Sequence, residues 1–242
     1  MFKLNKLLKL VKLLKNRVTR KGLYNNIAAN IELEYLVNDL KFETVIDVGS
    51  NKGQFILLVE KNFPNEKFFY SFEPITEILE KQKKFFLGNN KILFFNFALG
   101  EKFEKKKFNI TKRKDSSSFF QINEMIKSKD HIKEEEREIE IKPLDKVMGA
   151  ENLRKPILMK IDVQGYEFEV LKGSKDIIRK IKYLIIELSE NEIYKGQSLA
   201  PEIIDYLKKI NFNILKETRA YKISGSEFKQ KDILFINHNS NE

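Results

Sequence analysis

Two stretches of this 242-residue sequence bring together side chains able to hold a charged ligand: "VIDVGSNKGQFILL" (45–58) and "PILMKIDVQGYEFEVLKG" (156–173). Each runs from a short apolar segment into an aspartate, a glycine-containing turn and a helix-like pattern. That order is how α/β proteins bring backbone and a helix N-terminus up to a nucleotide-like ligand. The first turn does not cradle phosphates. A P-loop needs G-x-x-x-x-G-K-[ST], and here Gly53 is followed by Gln54 and Phe55. A dinucleotide fingerprint needs G-x-G-x-x-G so that a pyrophosphate can approach, and the run Gly49, Ser50, Asn51, Lys52, Gly53 places asparagine where the middle glycine belongs. Asp47, ahead of the turn, suits a cation better than a pyrophosphate. Downstream, "SFEP" (71–74) ends the next apolar run and sets Glu73, with Pro74 beside it, at the edge next to the first turn. A carboxylate there accepts hydrogen bonds from both hydroxyls of an unphosphorylated ribose. A guest with a ribose, an amino group and no phosphate is S-adenosylmethionine.

The elements that must position these residues follow from hydropathy. From Phe42 onward, short apolar runs alternate with longer helix-like stretches, the mark of βα units around a mainly parallel sheet. The pattern predicts strands over 42–48, 67–72, 91–97, 156–162 and 181–187, and helices over 53–62, 75–87, 167–180 and 199–210. Between Gly100 and Pro143 the rhythm stops. There "KKKFNI" (105–110) and "REIEIKPL" (137–144) read as edge strands flanking a long polar segment, a length of irregular chain that usually serves function. "NFNILKET" (211–218) and "KDILFINH" (231–238) predict an antiparallel hairpin at the C-terminal sheet edge.

With 42% hydrophobic residues the chain can bury one sizeable core. The expected organisation is a basic helical appendage over 1–40 and one α/β domain over 41–242. The absence of cysteine excludes disulfides and thiolate metal sites, and the apolar runs fall short of a membrane span; a soluble, cytoplasmic chain is the expectation. The net charge of +10 is concentrated at one end, since eight basic residues fall in 1–22 and no acid precedes Glu32. Only seven of the 45 basic residues are arginine, whereas phosphate and base recognition favours arginine. Nucleic acid is therefore not the expected partner. Leu4, Leu7, Leu8, Val11, Leu14 and Val18 form a stripe at helical spacing. Two readings stand: a helix packing its leucines on the body or on a second subunit as a homodimer, or a helix lying on an anionic membrane surface, peripheral to the inner leaflet.

The segments "VIDVGSNKGQF", "FEP" (72–74), "NFALG" (96–100), "KDSSSF" (114–119), "PLDKV" (143–147), "KIDVQGYEFEVLKG" (160–173) and "LIIELSE" (184–190) occur in this order over about 42–215. Together they resemble the FkbM family of S-adenosylmethionine-dependent methyltransferases. The resemblance implies a Rossmann-like sheet of about seven strands, mainly parallel with one antiparallel edge strand and helices on both faces. It also implies O-methylation of hydroxyls on sugars, glycolipids or related small molecules. Asp47, Gly49, Asn51, Gly53 and Glu73 would line the cofactor, with Ser50 and Pro74 in the same turns and Ala98 and Leu99 near the adenine. Asp162 would sit beside the methionine end or the acceptor. Pro143 departs from the threonine more usual at that point.

An alcohol acceptor must lose a proton, so a base within hydrogen-bond reach would help. His131 and His238 are the only histidines, and both read as solvated surface. A carboxylate or lysine is then the expected base, with Asp162 first because it ends a buried strand at the ligand edge. Lys160 and Glu167 read as a pair orienting Asp162 or the acceptor hydroxyl, or equally as a structural salt bridge, and Glu187 closes the next strand, either toward the same cleft or as a loop cap. "DSSSFF" (115–120) offers hydroxyls and an aromatic platform. No metal-ligand spacing is present. The competing functions are an RNA or protein methyltransferase using the basic N-terminus as a docking arm, and a non-catalytic cofactor-binding protein.

Overall fold

The computed structural model describes residues 2–240 apart from Asn65 and Lys127. Its strands are β1 (Thr44–Val48), β2 (Phe68–Phe72), β3 (Ile92–Phe95), β4 (Ala98–Leu99), β5 (Glu104–Thr111), β6 (Lys133–Lys142), β7 (Ile157–Ile161), β8 (Tyr183–Ser189), β9 (Phe212–Glu217), β10 (Tyr221–Lys222) and β11 (Lys229–Asn237). Its α-helices are α1 (Phe2–Lys15), α2 (Arg17–Tyr24), α3 (Glu34–Val37), α4 (Gln54–Asn62), α5 (Thr76–Phe85), α6 (Leu144–Val147), α7 (Glu167–Lys172) and α8 (Ala200–Lys209). β3, β2, β1, β7 and β8 pair in parallel in that order, and β11 adds antiparallel to β8. β9 and β10 both pair with the outer edge of β11. The C-terminal hairpin therefore forms, with its second strand inserted between β8 and β9, so that Asp232 comes opposite Glu187.

β1 and β7 are buried along their whole length, which is why they read as unbroken apolar runs in sequence. Alternate residues enter two separate cores. Ile46, Met159 and Ile186 pack with α7 and α8 on one face, and Val45, Leu158 and Ile185 pack with α3 and α4 on the other. That alternation is the period-two geometry of a strand with helices on both sides.

Two expected elements differ. β5 and β6 flank the polar segment as expected, but with β4 they form a separate three-stranded sheet in the order β4, β6, β5 rather than edges of the main one. Its apolar side, Phe108, Ile110, Ile139 and Ile141, packs on Ile75, Ile78 and Tyr166, so the sheet sits over the edge that carries the site. The helix expected over 167–180 stops at Lys172. A Cβ at Gly173 would lie 1.9 Å from the Gly100 carbonyl oxygen, and this close approach of two backbones takes the place of further helix.

Candidate active site

The carboxyl ends of β1, β2, β7 and β8 open into one cavity of about 960 Å³, the crevice where open parallel sheets hold ligands. Its β1–β2 side is built by two turns tied together: the amides of Gly49 and Ser50 both donate to the Phe72 carbonyl at 3.0 Å. Asp47, near the end of β1, is fully buried and lines the cavity. Neither of its carboxylate oxygens has a hydrogen-bond partner. Burial pushes its pKa up to about 6, against the pull of Lys160 and with a further push from Asp162. A buried carboxylate without a partner is costly, so this one could hold a guest that brings donors or positive charge.

Glu73 is buried beside it, also lifted by burial, to about 7. Its oxygens accept from the backbone N–H of Asn51 at 2.9 Å and of Ile75 at 2.8 Å, which fixes the carboxylate and leaves each oxygen a second lone pair for a ligand hydroxyl. Asn51 holds a left-handed conformation, φ +50°, with its side-chain Oδ1 buried and unpartnered. Ser50 lines the cavity and its hydroxyl accepts from Ser71 and Gln82. Pro74, Ala98 and Leu99 complete the wall with Phe72 and Phe97, whose rings meet edge-on at 5.8 Å.

The two glycines serve chain packing. A Cβ on Gly49 would stand 2.0 Å from the Asp162 carbonyl oxygen, joining the two strand–turn–helix units, and Gly49 also lines the cavity. Gly53, φ +82°, lies outside the cavity lining, and a Cβ there would stand 2.6 Å from the Phe86 ring. Its left-handed φ lets α4 start close against the end of α5.

The β7–β8 side is a connected polar network. Lys160 is buried, lies opposite Asp47 in the β1–β7 register, and donates to Asp162 at 2.9 Å. Burial opposes its charge, but Asp162, Asp47 and Asp232 outweigh that and raise its pKa, so Lys160 stays an ammonium and is not a base. The Gln164 amide donates to Asp162 at 2.8 Å and to Glu187 at 3.0 Å, and its oxygen accepts from Tyr194 at 2.8 Å. Tyr221 donates to the other Glu187 oxygen, and Gln230 donates to Tyr221 at 2.9 Å. Burial, then the charges of Asp162 and Asp232, lift Glu187 well above the usual carboxylate range. Asp232 is lifted by burial and by Asp162 to about 7.

Asp162 and Glu187 are therefore brought together, and Lys160 orients Asp162. The expected Lys160–Glu167 pair does not form. Glu167 is buried outside the cavity lining, and its Oε1 accepts from the N–H of Val163 and of Gly165, both at 3.1 Å, as a brace for the turn. His131, read as solvated surface, is half-buried and lines the cavity.

Gln164, Phe97, Tyr221 and Asp232 are among the lining residues that sequence reasoning does not single out. Gln164 and Phe97 stand inside the "KIDVQGYE" and "NFALG" segments and were legible as part of them. Tyr221 and Asp232 reach the site only through the β11 insertion, for which the sequence carries no local signal. Ser116 and Ser117 line the cavity as the polar segment suggested, while the Ser118 hydroxyl donates to the Gln164 carbonyl at 2.6 Å and ties that segment to the β7 turn. Among the described residues no group of acids and histidines is arranged to hold a metal ion.

The comparisons with known proteins agree with this geometry. The family model described as "Methyltransferase FkbM domain" matches residues 47–214. The 2-O-methyltransferase NoeI of Sinorhizobium fredii is 23% identical over 171 residues, covering 67% of this chain and 70% of that protein. A methyltransferase FkbM from Methylobacillus flagellatus superposes with a TM-score of 0.53 at 14% identity, over 90% of this chain; the present chain spans only 52% of that one. A magnesium protoporphyrin IX methyltransferase from Synechocystis, with bound S-adenosylmethionine, gives a TM-score of 0.47 at 10% identity over 92% of this chain and 84% of that one. With its fold and the whole segment from Asp47 into β9 accounted for, the chain belongs to the FkbM methyltransferase family.

Proposed function

We propose that the protein methylates a hydroxyl group on a sugar, glycan or similar polyol. The observation that carries this reading is Asp162: a carboxylate clamped by Lys160 and Gln164 at the carboxyl end of β7, between the cofactor side of the cavity and a wall of hydrogen-bonding side chains. The similarity to a 2-O-methyltransferase supports transfer to oxygen.

When bound, S-adenosylmethionine would supply the methyl group from its sulfonium, with a neutral thioether as the leaving group. The chain supplies placement, a major contribution when two reactants must meet in line. Asp47 would hold a cationic part of the cofactor, Glu73 its ribose hydroxyls, and Phe72, Phe97, Ala98 and Leu99 its adenine. Asp162 would accept the acceptor hydroxyl's proton. Lys160 and Gln164 hold that carboxylate in place at the carboxyl end of β7 for this step. Glu187, Tyr221 and Gln164 would hold the hydroxyl in line.

The test is product formation. The purified chain is incubated with S-adenosylmethionine and, separately, with a panel of saccharides, with RNA and with unfolded protein, and S-adenosylhomocysteine is measured. Turnover confined to a saccharide supports the proposal. Turnover on RNA or protein alone would replace it.

A further inference from the structure

The N-terminal helix turns its apolar face away from the protein. Of the α1 side chains described, Leu13 is the one buried in the core, and it is not part of the stripe read from the sequence. Leu8, Leu10, Val11 and Leu14 are 55%, 44%, 42% and 43% exposed. Leu4 and Leu7 lie outside the described side chains. The stripe also ends sooner than expected, because Asn16 caps a new helix by accepting from the N–H of Val18 and of Thr19. Val18, on that second helix, packs against the core. The reading in which the leucines of the stripe pack on the body is therefore corrected for Leu8 and Leu14.

We propose that α1 lies on the surface of an anionic phospholipid bilayer. At 100° per residue, Leu10, Val11 and Leu14 share one face of the helix. Lys12 and Lys15 are exposed on α1, and Arg17, Arg20 and Lys21 are exposed on α2, which follows directly. No acidic residue precedes Glu32, so the whole surface is complementary to anionic headgroups, with apolar side chains to enter the acyl boundary. Tyr24, 81% exposed at the end of α2, adds an aromatic side chain of the kind that settles at a headgroup layer. A second copy of the chain fits less well. A two-fold pairing through this face would bring the lysines of both helices together with no acid to offset them. Among the described residues no helix is long and apolar enough to cross a membrane, so α1 would lie in the surface plane.

The placement bears on the active site. On the inner side of α1, Lys9 pairs with Glu32 at 2.6 Å, and both residues line the rim of the 960 Å³ cavity. Docking by the outer face holds that rim about one helix diameter, ~10 Å, from the lipid. The proposal does not rest on the methylation reading, and its test needs no turnover.

The chain contains no tryptophan, so Val11→Trp installs a single reporter on the docking face. The full chain and this variant are mixed with vesicles of phosphatidylcholine alone, and with an equimolar mixture of phosphatidylcholine and phosphatidylglycerol. Co-sedimentation with the anionic vesicles only, a blue shift of the introduced indole's emission on binding, and release by salt are expected. Lys12→Glu with Lys15→Glu should weaken binding at least ~10-fold while far-ultraviolet circular dichroism stays unchanged. A folded chain that ignores anionic vesicles would overturn the proposal, as would binding without a blue shift. So would a dimer in light scattering that Val11→Glu dissociates, since the face would then belong to a second copy.

Discussion

The two sides of the cavity meet their ligands in opposite ways. On the β1–β2 side, Asp47 is a buried carboxylate with both oxygens unpartnered; on the β7–β8 side, Asp162 and Glu187 are held from several directions by Lys160, Gln164 and Tyr221. An unpartnered buried charge stores a free-energy cost that a ligand can relieve, so it favours tight, specific binding. A satisfied network stores none, but it fixes geometry, which a chemical step needs. Under the proposed function, the first side would supply affinity for the cofactor and the second would supply rate.

Substitutions that break one side and spare the other test that division. The largest effect is expected at Asp162: Asp162→Asn should lower kcat by ~100-fold or more, with S-adenosylmethionine affinity nearly unchanged, as measured by initial rates and calorimetry. A loss confined to cofactor affinity would move Asp162 to the other side. Next is Asp47→Asn, which should weaken S-adenosylmethionine ~30-fold, the scale of one charged buried contact. The same substitution should stabilise the free chain by about 2 kcal/mol in denaturant titrations, because it removes a buried charge that has no hydrogen-bond partner and that the pull of Lys160 offsets only in part. A variant that loses both affinity and stability would mean that Asp47 holds the fold. Tyr221→Phe should have a smaller effect, reducing kcat about 5-fold by freeing one Glu187 oxygen, with little change in melting temperature.

A further effect is on stability against pH. Burial raises Asp47 from 3.8 to about 6 and Glu73 from 4.5 to about 7. Between the lower and upper values the folded chain holds more protons on these groups than the unfolded chain does. Their contribution to stability is therefore full below about pH 4 and is lost as pH rises through 6 and 7. Melts of the free chain should show this loss across the window, with a smaller loss in Asp47→Asn. A loss of the same size in that variant would assign the window to other carboxylates.

The same two sides differ in how far they were legible in the sequence. Asp47, Ser50, Asn51, Glu73 and Pro74 lie on two consecutive strand–turn units, and parallel strands that follow each other across a helix pair as neighbours. Local pattern thus implied spatial contact. For Gly53, the need for a positive φ does not say what the glycine packs against; here it is Phe86. On the other side, Asp162 and Glu187 could be placed at strand ends, but Tyr221 and Asp232 depend on β11 entering between β8 and β9, a long-range choice of pairing. Glu167 sits two residues from Gly165, close enough to cap the turn, and the capping role won. The amphipathic N-terminal stripe was visible as a period, but period alone does not tell which way a helix faces.

The most direct test of the division is calorimetric titration of S-adenosylmethionine into three proteins: the parent chain, Asp47→Asn and Asp162→Asn. Asp162→Asn is expected to bind like the parent and Asp47→Asn far more weakly. Parent-like binding by Asp47→Asn, or loss of binding by Asp162→Asn, would contradict the division.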